Sequence, residues 1–255
     1  MALYVAAGLG VALLALPLIA LVVRAPWSSA ADILRDDAAM TALRLSIVCS
    51  LGATALALAL GIPLAWMLAR RRLPFAALLR SLALVPLVLP PVAGGVGLLM
   101  AFGRGGVVGR WLDAAFGLTL PFTTAGAVLA EAFVALPFVV IAAETAIRAV
   151  DPRAQEIARS LGASRLEVAR RIVLPQARGG LVAGAVLAWA RALGEFGATI
   201  TFAGSVPGRT TTLPLHVFFA LESGDTGPAV LLSLMLVALS VAVLVALRQR
   251  WLVLR

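Results

Sequence analysis

Residues 156–175 read EIARSLGASRLEVARRIVLP and form the one long polar stretch in a chain that is otherwise apolar. Asp151 and Pro152 come just before it, and an aspartate followed by a proline is a frequent pairing at the start of a helix. Gly162 is the residue type that most easily adopts the left-handed conformation in which many helices end. The sequence therefore predicts a short capped helix that ends at Gly162.

A second short helix is predicted directly after the first. Ser164 and Glu167 have the spacing of a capping box, in which each side chain bonds to the backbone N–H of the other residue. We expect this helix to run until Pro175, because proline lacks the N–H that a helix interior requires. A helix of about ten residues is marginal alone in water, so the apolar face of each helix must pack on the protein itself, on the bilayer surface or on another protein. The residues of these faces are Ile157, Ala158 and Leu161 in the first helix and Leu166, Ala169, Ile172 and Val173 in the second.

The composition indicates an integral membrane protein. Of the 255 residues, 62% are apolar and 13% are charged, whereas about a quarter of the residues of a soluble globular protein are charged. The chain contains no lysine, and its arginines lie between apolar blocks, which favours contact with membrane lipids over nucleic acid binding. One cysteine, Cys49, and one histidine, His216, exclude an internal disulfide bond, a thiolate metal cluster and a multi-histidine zinc site.

Six apolar segments are long enough to cross about 30 Å of hydrocarbon, which takes about 20 helical residues. They are 3–23, 42–69, 78–102, 122–147, 178–203 and 227–247. The first has no positively charged leader and is too long for the core of a signal peptide, so we expect a retained helix. The sequence shows no internal repeat. It therefore predicts an all-α polytopic membrane protein, with six transmembrane helices in a single domain, 1–255.

The arginines predict the orientation of the chain. Most of them follow span two, span four or span six: Arg70, Arg71, Arg72, Arg80, Arg148, Arg153, Arg159, Arg165, Arg170, Arg171, Arg178, Arg248, Arg250 and Arg255. The other side carries fewer arginines and most of the aspartates, and its arginines are Arg24, Arg35, Arg44, Arg104, Arg110 and Arg209. Because positive charge marks the cytoplasmic face, we expect both termini and the loop at about 148–178 to lie in the cytoplasm.

The polar stretch resembles a signature of the permease subunits of bacterial ABC importers: E-A-A, three residues, G, nine residues and I-x-L-P. The matching residues are Glu156, Ala158, Gly162, Ile172, Leu174 and Pro175, and Ile157 replaces the usual first alanine. In that family the short helix before the glycine is the coupling helix, which sits in a groove of the ATP-hydrolysing subunit. The residues to which the resemblance gives this coupling role are Glu156, Ile157, Ala158, Leu161, Gly162, Ala163 and Ser164.

Two further stretches resemble permeases for tetrahedral oxyanions. Residues 191–214, RALGEFGATITFAGSVPGRTTTLP, are similar to the fifth span of that group. Residues 85–99, VPLVLPPVAGGVGLL, are similar to the third span of its molybdate members. The resemblance implies an ABC importer permease that moves an oxyanion, molybdate above all, with sulfate, thiosulfate or tungstate as the alternatives.

The resemblance also implies an assembly in the inner membrane of a bacterium. Two copies of this chain would join two ATP-binding cassette subunits and a periplasmic or lipid-anchored oxyanion-binding protein. The chain has no phosphate-binding loop of the type G-x-x-x-x-G-K-[ST], since it has no lysine. We therefore expect a non-catalytic channel subunit without a cofactor of its own, with ATP and Mg²⁺ bound on the partner subunit.

Two other classes of protein fit the sequence less well. A secondary transporter would have the same polytopic body without an ATPase, but such proteins are often built from inverted repeats, and none is visible in the sequence. An intramembrane enzyme would need a catalytic set of residues at membrane depth. One histidine, one cysteine and no G-x-S-x-G motif argue against that class.

Charged residues in the fifth span are candidates for the translocation path. Arg191 and Glu195 are four residues apart, on one helix face with Thr199. Arg191 either attracts the anion, with Glu195 offsetting its charge, or forms an internal salt bridge that fixes the helix. We favour the salt bridge, because a carboxylate beside the path repels an anion, and Glu131 and Glu144 are further candidate partners.

The third span contains too many helix-breaking residues to form a straight helix. They are Pro86, Pro90, Pro91, Gly94, Gly95 and Gly97. Broken backbone at membrane depth occurs where it is buried in protein or lines a water-filled cavity. We expect Pro90, Pro91 and Gly94 to lie at the pore, with a kink buried between neighbouring helices as the alternative.

Overall fold

The computed structural model describes residues 1–69 and 74–252, with the side chains of the last helix described as far as Ala242 and at Val245. Every regular element in these ranges is helical, which confirms the predicted all-α class. The helices are α1 (Ala2–Arg24), α2 (Ala30–Arg35), α3 (Asp37–Ala69), α4 (Ala76–Val88), α5 (Pro91–Phe102), α6 (Gly109–Phe116), α7 (Thr124–Arg148), α8 (Pro152–Ser160), α9 (Arg165–Val168), α10 (Leu174–Leu193), α11 (Gly197–Phe202), α12 (Leu213–Glu222) and α13 (Thr226–Leu252). A 3₁₀ turn, Trp27–Ser29, precedes α2, and a π-helical turn, Ala169–Val173, joins α9 to α10.

Five of the six predicted spans have a counterpart that is long and apolar enough to cross a membrane. Among the described residues these are α1, α3, α7, the continuous helix Arg165–Leu193, and the pair α4 and α5, which is bent by 119°. The sixth predicted span falls on α13, whose apolar part is described over Thr226–Ala242, so that span stays a prediction. Arg70, Arg71, Arg72 and Arg255 lie outside the described residues, as do the side chains of Arg248 and Arg250.

The centre of the fold is formed by α3 and α10, which both pack on α7. The side chains at these contacts are small, and they include Ala53, Ala57, Ala132, Ala135 and Ala188. Small residues allow helices in a membrane to approach closely, which increases their van der Waals contact. Gly184 of α10 shows how close this approach is, because a Cβ at that position would lie 2.8 Å from the Cβ of Ala142 on α7.

The helix that contains Pro175 continues where the sequence predicted an end. Residues 165–193 form one continuous helix, and Pro175 lies in the first turn of α10, directly after the π-helical turn. A π turn has wider hydrogen bonding, from residue i to i+5, and this relaxes the i to i+4 ladder in which proline cannot take part. The expectation that the helix stops at Pro175 is therefore wrong, because the turn before it accommodates the missing N–H.

The fifth predicted span, 178–203, is not one helix either. The backbone leaves the helix after Leu193, and α11 begins at Gly197. Gly194 has no Cβ and lies at this break, at the end of α10. The third and fifth spans are thus both discontinuous, and their breaks are the first component of the site described below.

Candidate functional site

The predicted caps of the first polar helix are present. The Asp151 side chain accepts a hydrogen bond from the backbone N–H of Arg153 at 2.9 Å, and Pro152 is the first residue of α8. Gly162 follows the helix with φ +89°, in the left-handed region. The backbone N–H of Ala163 donates to the carbonyl of Ala158, which closes the helix end.

The turn between α8 and α9 is held by the predicted capping box. The backbone N–H of Glu167 donates to Oγ of Ser164 at 3.2 Å, and the backbone N–H of Ser164 donates to Oε2 of Glu167 at 2.9 Å. These reciprocal bonds satisfy N–H groups that the start of a helix otherwise leaves unpaired. The polar stretch is therefore a pair of helices with a defined turn between them.

The predicted apolar face of α8 divides between two environments. Ala158 and Ala163 pack on a core cluster of the protein itself. Ile157 and Leu161, in contrast, are 62% and 83% exposed, and Glu156 and Ser164 are also exposed. The expectation that Ile157, Ala158 and Leu161 act as one face is therefore only partly right, because the alanine alone packs inward.

Two valines attach the polar stretch to the membrane helices. Val168 directly precedes the π-helical turn, Val173 is the last residue of the turn, and both are buried. They pack in the cluster that contains Leu68 of α3 and Ile147 of α7. The end of the polar stretch is therefore packed on the ends of α3 and α7.

The bend in the third span lies between α4 and α5, at Leu89 and Pro90. Pro90 and Pro91 are exposed at the bend. Gly94 and Gly95, one turn further along α5 on the same side as Pro91, are buried, and a Cβ at Gly94 would lie 3.0 Å from the Phe133 ring on α7. The prediction that this span is not straight is confirmed, whereas its place at a pore stays a prediction.

The breaks of the third and fifth spans meet. Gly197, the first residue of α11, lies so close to Pro91, the first residue of α5, that a Cβ on it would stand 2.8 Å from the Pro91 Cβ. One turn further along α5, a Cβ at Gly95 would stand 3.0 Å from the carbonyl oxygen of Ala198. The glycines of the two segments thus permit a close approach of one broken backbone to the other.

Arg191 forms an ion pair with Glu195 of its own helix region, and not with Glu131 or Glu144 as the sequence also suggested. The Nη1 atom of Arg191 lies 2.5 Å from Oε2 of Glu195. Oε1 of Glu195 accepts a hydrogen bond from the backbone N–H of Ala198 at 2.8 Å. Glu195 therefore ties the end of α10 to the start of α11 across the break.

Two buried polar atoms near this break are left without a hydrogen bond. Within the described residues, Oε2 of Glu131 and Oγ1 of Thr199 are buried and have no partner. Thr201 instead donates to the carbonyl of Gly197 at 2.8 Å, which is the bond to the preceding turn that threonine often makes. Thr199 is thus brought to the break, but its hydroxyl is not used in the packing of its own helix.

Sequence reasoning missed an ionic cluster at the end of α7. Nη2 of Arg80 and Nη2 of Arg148 each lie 2.7 Å from the same oxygen, Oε1 of Glu144. Arg148 also donates to the carbonyl oxygen of Leu68 at 3.2 Å. The spacing of Glu144 and Arg148, four apart on one helix, was the signal available in the sequence. Nothing in the sequence indicates that Arg80, 64 positions before Glu144, joins them.

Residues 57–252 match the family described as "Binding-protein-dependent transport system inner membrane component". The "Molybdenum transport system permease protein ModB" of Mycobacterium tuberculosis is 44% identical over 247 residues, which cover 97% of this chain and 93% of the relative. The "Sulfate transport system permease protein CysW" of Synechocystis is 36% identical over 201 residues, 77% of this chain and 72% of the relative.

The fold is also that of a known transporter subunit. A chain in the crystal structure of a bacterial alginate ABC transporter, in complex with alginate pentasaccharide-bound periplasmic protein, is similar with a TM-score of 0.73. The two chains are 16% identical, and the match covers 95% of this chain and 91% of that one. From its match over residues 57–252, this chain belongs to the family of inner membrane components of binding-protein-dependent transport systems.

Proposed function

We propose that this chain is the membrane-spanning permease subunit of an ABC importer that moves molybdate into the cell. The relative named for molybdenum transport is 44% identical over nearly the whole chain, and the relative named for sulfate transport is 36% identical over a shorter part. The chain is a multi-pass inner membrane protein that provides a channel, and ATP hydrolysis belongs to a separate subunit. Sulfate, thiosulfate and tungstate are the anions with which molybdate must be compared.

The observation that carries this proposal is the exposed side of α8. Its caps fix the helix, yet Ile157 and Leu161 project from it with most of their surface uncovered by the rest of the chain. Burying a side chain of this size gains about 1.5–3 kcal/mol. A groove on the ATPase subunit would bury both side chains, with Glu156 and Ser164 beside them, so we assign α8 the role of the coupling helix.

The route from α8 into the membrane follows from the packing. The helix Arg165–Leu193 is continuous and reaches from the capping box to the break at Gly194. Beyond the break, Glu195 holds α11, and α11 lies against α5 of the bent third span. A pull on α8 by the closing ATPase subunits would therefore move the two broken spans relative to α3 and α7.

We place the anion path at the bend in the third span. Pro90 and Pro91 are exposed there, whereas Gly94 packs on α7. A second copy of the chain would complete the path by presenting the same bend. Arg191 and Glu195 neutralise each other and join α10 to α11, so we assign them a packing role, with Thr199 beside them.

The assembly that fits these surfaces consists of two copies of this chain, two ATPase subunits and an external oxyanion-binding protein. Both termini and the loop at about 148–178 would face the cytoplasm, because the arginines concentrate on that side. ATP and Mg²⁺ would be bound by the ATPase subunits.

Uptake of radioactive molybdate into liposomes that contain the complete transporter tests this function. We expect uptake to require ATP and the binding protein, and to be inhibited by tungstate more than by sulfate. Uptake without ATP would instead indicate a secondary transporter. Leu161→Glu should abolish uptake and release the ATPase subunit, whereas Leu118→Glu, at an exposed leucine outside the polar stretch, should retain both. Equal effects of the two substitutions would contradict the role of α8.

A further inference from the structure

We propose that Arg80 and Arg148 form a binding site for a tetrahedral oxyanion beside the base of α8, and that Glu144 occupies this site when no anion is bound. The identity of the anion rests on the proposed function, since the transported oxyanion is the one that reaches this place. The site itself is inferred from the geometry of the three side chains and from the space beside them.

The two guanidinium groups converge on one point. Nη2 of Arg80 and Nη2 of Arg148 are both 2.7 Å from Oε1 of Glu144, and Nε of Arg80 donates to Oε1 and Oε2 at 3.1 and 3.3 Å. Planar guanidinium groups that share an oxygen atom are a common arrangement for the recognition of carboxylate, phosphate and similar oxyanions. The Glu144 carboxylate thus has the position that an oxygen of a bound oxyanion would take.

The charges of the cluster are not balanced. One carboxylate faces two guanidinium groups, so one positive charge is left over. A divalent oxyanion would neutralise both arginines, which the single charge of Glu144 does not. The Glu144 side chain is only 10% exposed, whereas those of Arg80 and Arg148 are 37% and 36% exposed. The arginines are therefore accessible to an anion from outside, and Glu144 is the group that this anion displaces.

A cavity adjoins the cluster on the side of Arg148, and of the three charged side chains Arg148 alone lines it. Its volume is about 440 Å³, and it lies between the ends of α3 and α7 and the start of α8. Trp66, Ile147 and Gln155 are among the residues that line it, together with Arg148. The cavity combines a cationic side chain and an amide with apolar walls, which is the composition of a site for a small polar ligand.

The position of the cluster gives the bound anion an effect on the coupling loop. Glu144 connects Arg80 on α4, the first half of the bent span, to Arg148 at the end of α7. Asp151, the N-cap of α8, comes three residues after Arg148. When an oxyanion replaces Glu144, the direct ion pair between α4 and α7 is exchanged for a link through the anion, at the point where α7 leads into the coupling helix. Binding of an anion at the end of the path thus changes the contacts at the start of the coupling loop.

Equilibrium dialysis of the purified transporter, without the binding protein, tests the site with radioactive molybdate and with sulfate as separate probes. We expect Glu144→Gln to bind the anion about tenfold more tightly than the unmodified protein, since the competing charge is removed. Glu144→Asp, which keeps a charge on a shorter side chain, should give an intermediate value. Arg80→Gln and Arg148→Gln should bind at least about tenfold more weakly, whereas Arg178→Gln, at an exposed arginine of α10, should match the unmodified protein.

The outcomes separate this site from the proposed function. Unchanged affinity in both Glu144 variants, or an equal loss in Arg178→Gln, would overturn the site even if molybdate uptake is observed. Tighter binding by Glu144→Gln of sulfate but not molybdate would support the site and contradict the proposed substrate. Elution of each variant as an intact complex in size-exclusion chromatography is required before its affinity is compared.

Discussion

Pro91 and Gly197, each the first residue of a helix that starts inside a broken span, lie in direct contact. The contact is so close that a Cβ on residue 197 would be 2.8 Å from the Pro91 Cβ and 3.3 Å from the backbone nitrogen of Val92. Neither proline nor backbone can move away as a flexible side chain would. The approach of α11 to α5 therefore depends on glycine at this position.

Gly197→Ala should destabilise the protein, because the added methyl group must separate the two helices. Overpacking of this kind costs about 1–3 kcal/mol, which lowers the melting temperature by about 2–4 °C for each kcal/mol in a chain of this size. Thermal unfolding of the purified complex measures the change. The control is Gly97→Ala on α5, where a Cβ meets nothing within 4 Å and where no loss of stability is expected. A melting temperature for Gly197→Ala equal to that of the control would refute the close approach.

Arg191→Ala should reduce the stability of the complex more than its affinity for the anion. The substitution leaves the Glu195 carboxyl group at 1% exposure without its partner, and breaking a buried pair in this way costs about 3–5 kcal/mol. The double variant Arg191→Met with Glu195→Gln removes both charges and should recover most of the stability. The yield and melting temperature of the assembled complex, together with the concentration dependence of uptake, are the measurements. If Arg191→Ala keeps full stability but loses uptake, the packing role is contradicted and Arg191 belongs to the anion path.

Gly162→Val should uncouple ATP hydrolysis from uptake while membrane insertion is retained. The backbone at residue 162 has φ +89°, which a β-branched residue adopts only with strain of about 1–2 kcal/mol. A Cβ there meets nothing within 4 Å, so the effect arises from the backbone and not from a clash. Gly162→Asn is the matched control, because asparagine tolerates the left-handed conformation, and it should retain much of the uptake. Similar uptake by the two variants would argue against a strained helix end.

Local features of this fold are predictable from the sequence, and long-range pairings are not. The end of α8 at Gly162 and the capping box of Ser164 and Glu167 depend on residues within a few positions of each other, so their patterns are visible in the sequence. The partner of Glu144 on α4 depends on how α4 packs on α7. The inward turn of Ala158, away from Leu161, likewise depends on the tertiary contact and not on helix periodicity.

The breaks of the third and fifth spans also differ in how far the sequence predicts them. Pro90 and Pro91 predict the bend of the third span, because proline removes a backbone donor whatever its surroundings. Gly194 does not predict the break of the fifth span, because a glycine in an apolar helix is equally compatible with close packing, as at Gly184. Only the contact of α11 with α5 distinguishes a glycine at a break from a glycine at a close helix contact.

The π-helical turn Ala169–Val173 yields a prediction from helix geometry. Val168 and Val173 are five residues apart and are both buried in one cluster, whereas residues five apart on an α-helix point in different directions. Deletion of the exposed Arg170 would place the valines four apart, on the same face of an ordinary α-helix. It would also place Pro175 in a helix interior, where proline costs about 3 kcal/mol.

We therefore expect the deletion of Arg170 alone to lower the melting temperature and the yield of the complex. The same deletion combined with Pro175→Ala should restore both, because the new helix then has its full set of backbone donors. Deletion of Arg178 from the regular part of α10 is the control. It turns the preceding residues by about 100° relative to the rest of the span, so Pro175→Ala should not rescue it. If Pro175→Ala rescues neither deletion, the π-helical turn does not serve to accommodate the proline. The burial of both valines would then need another cause.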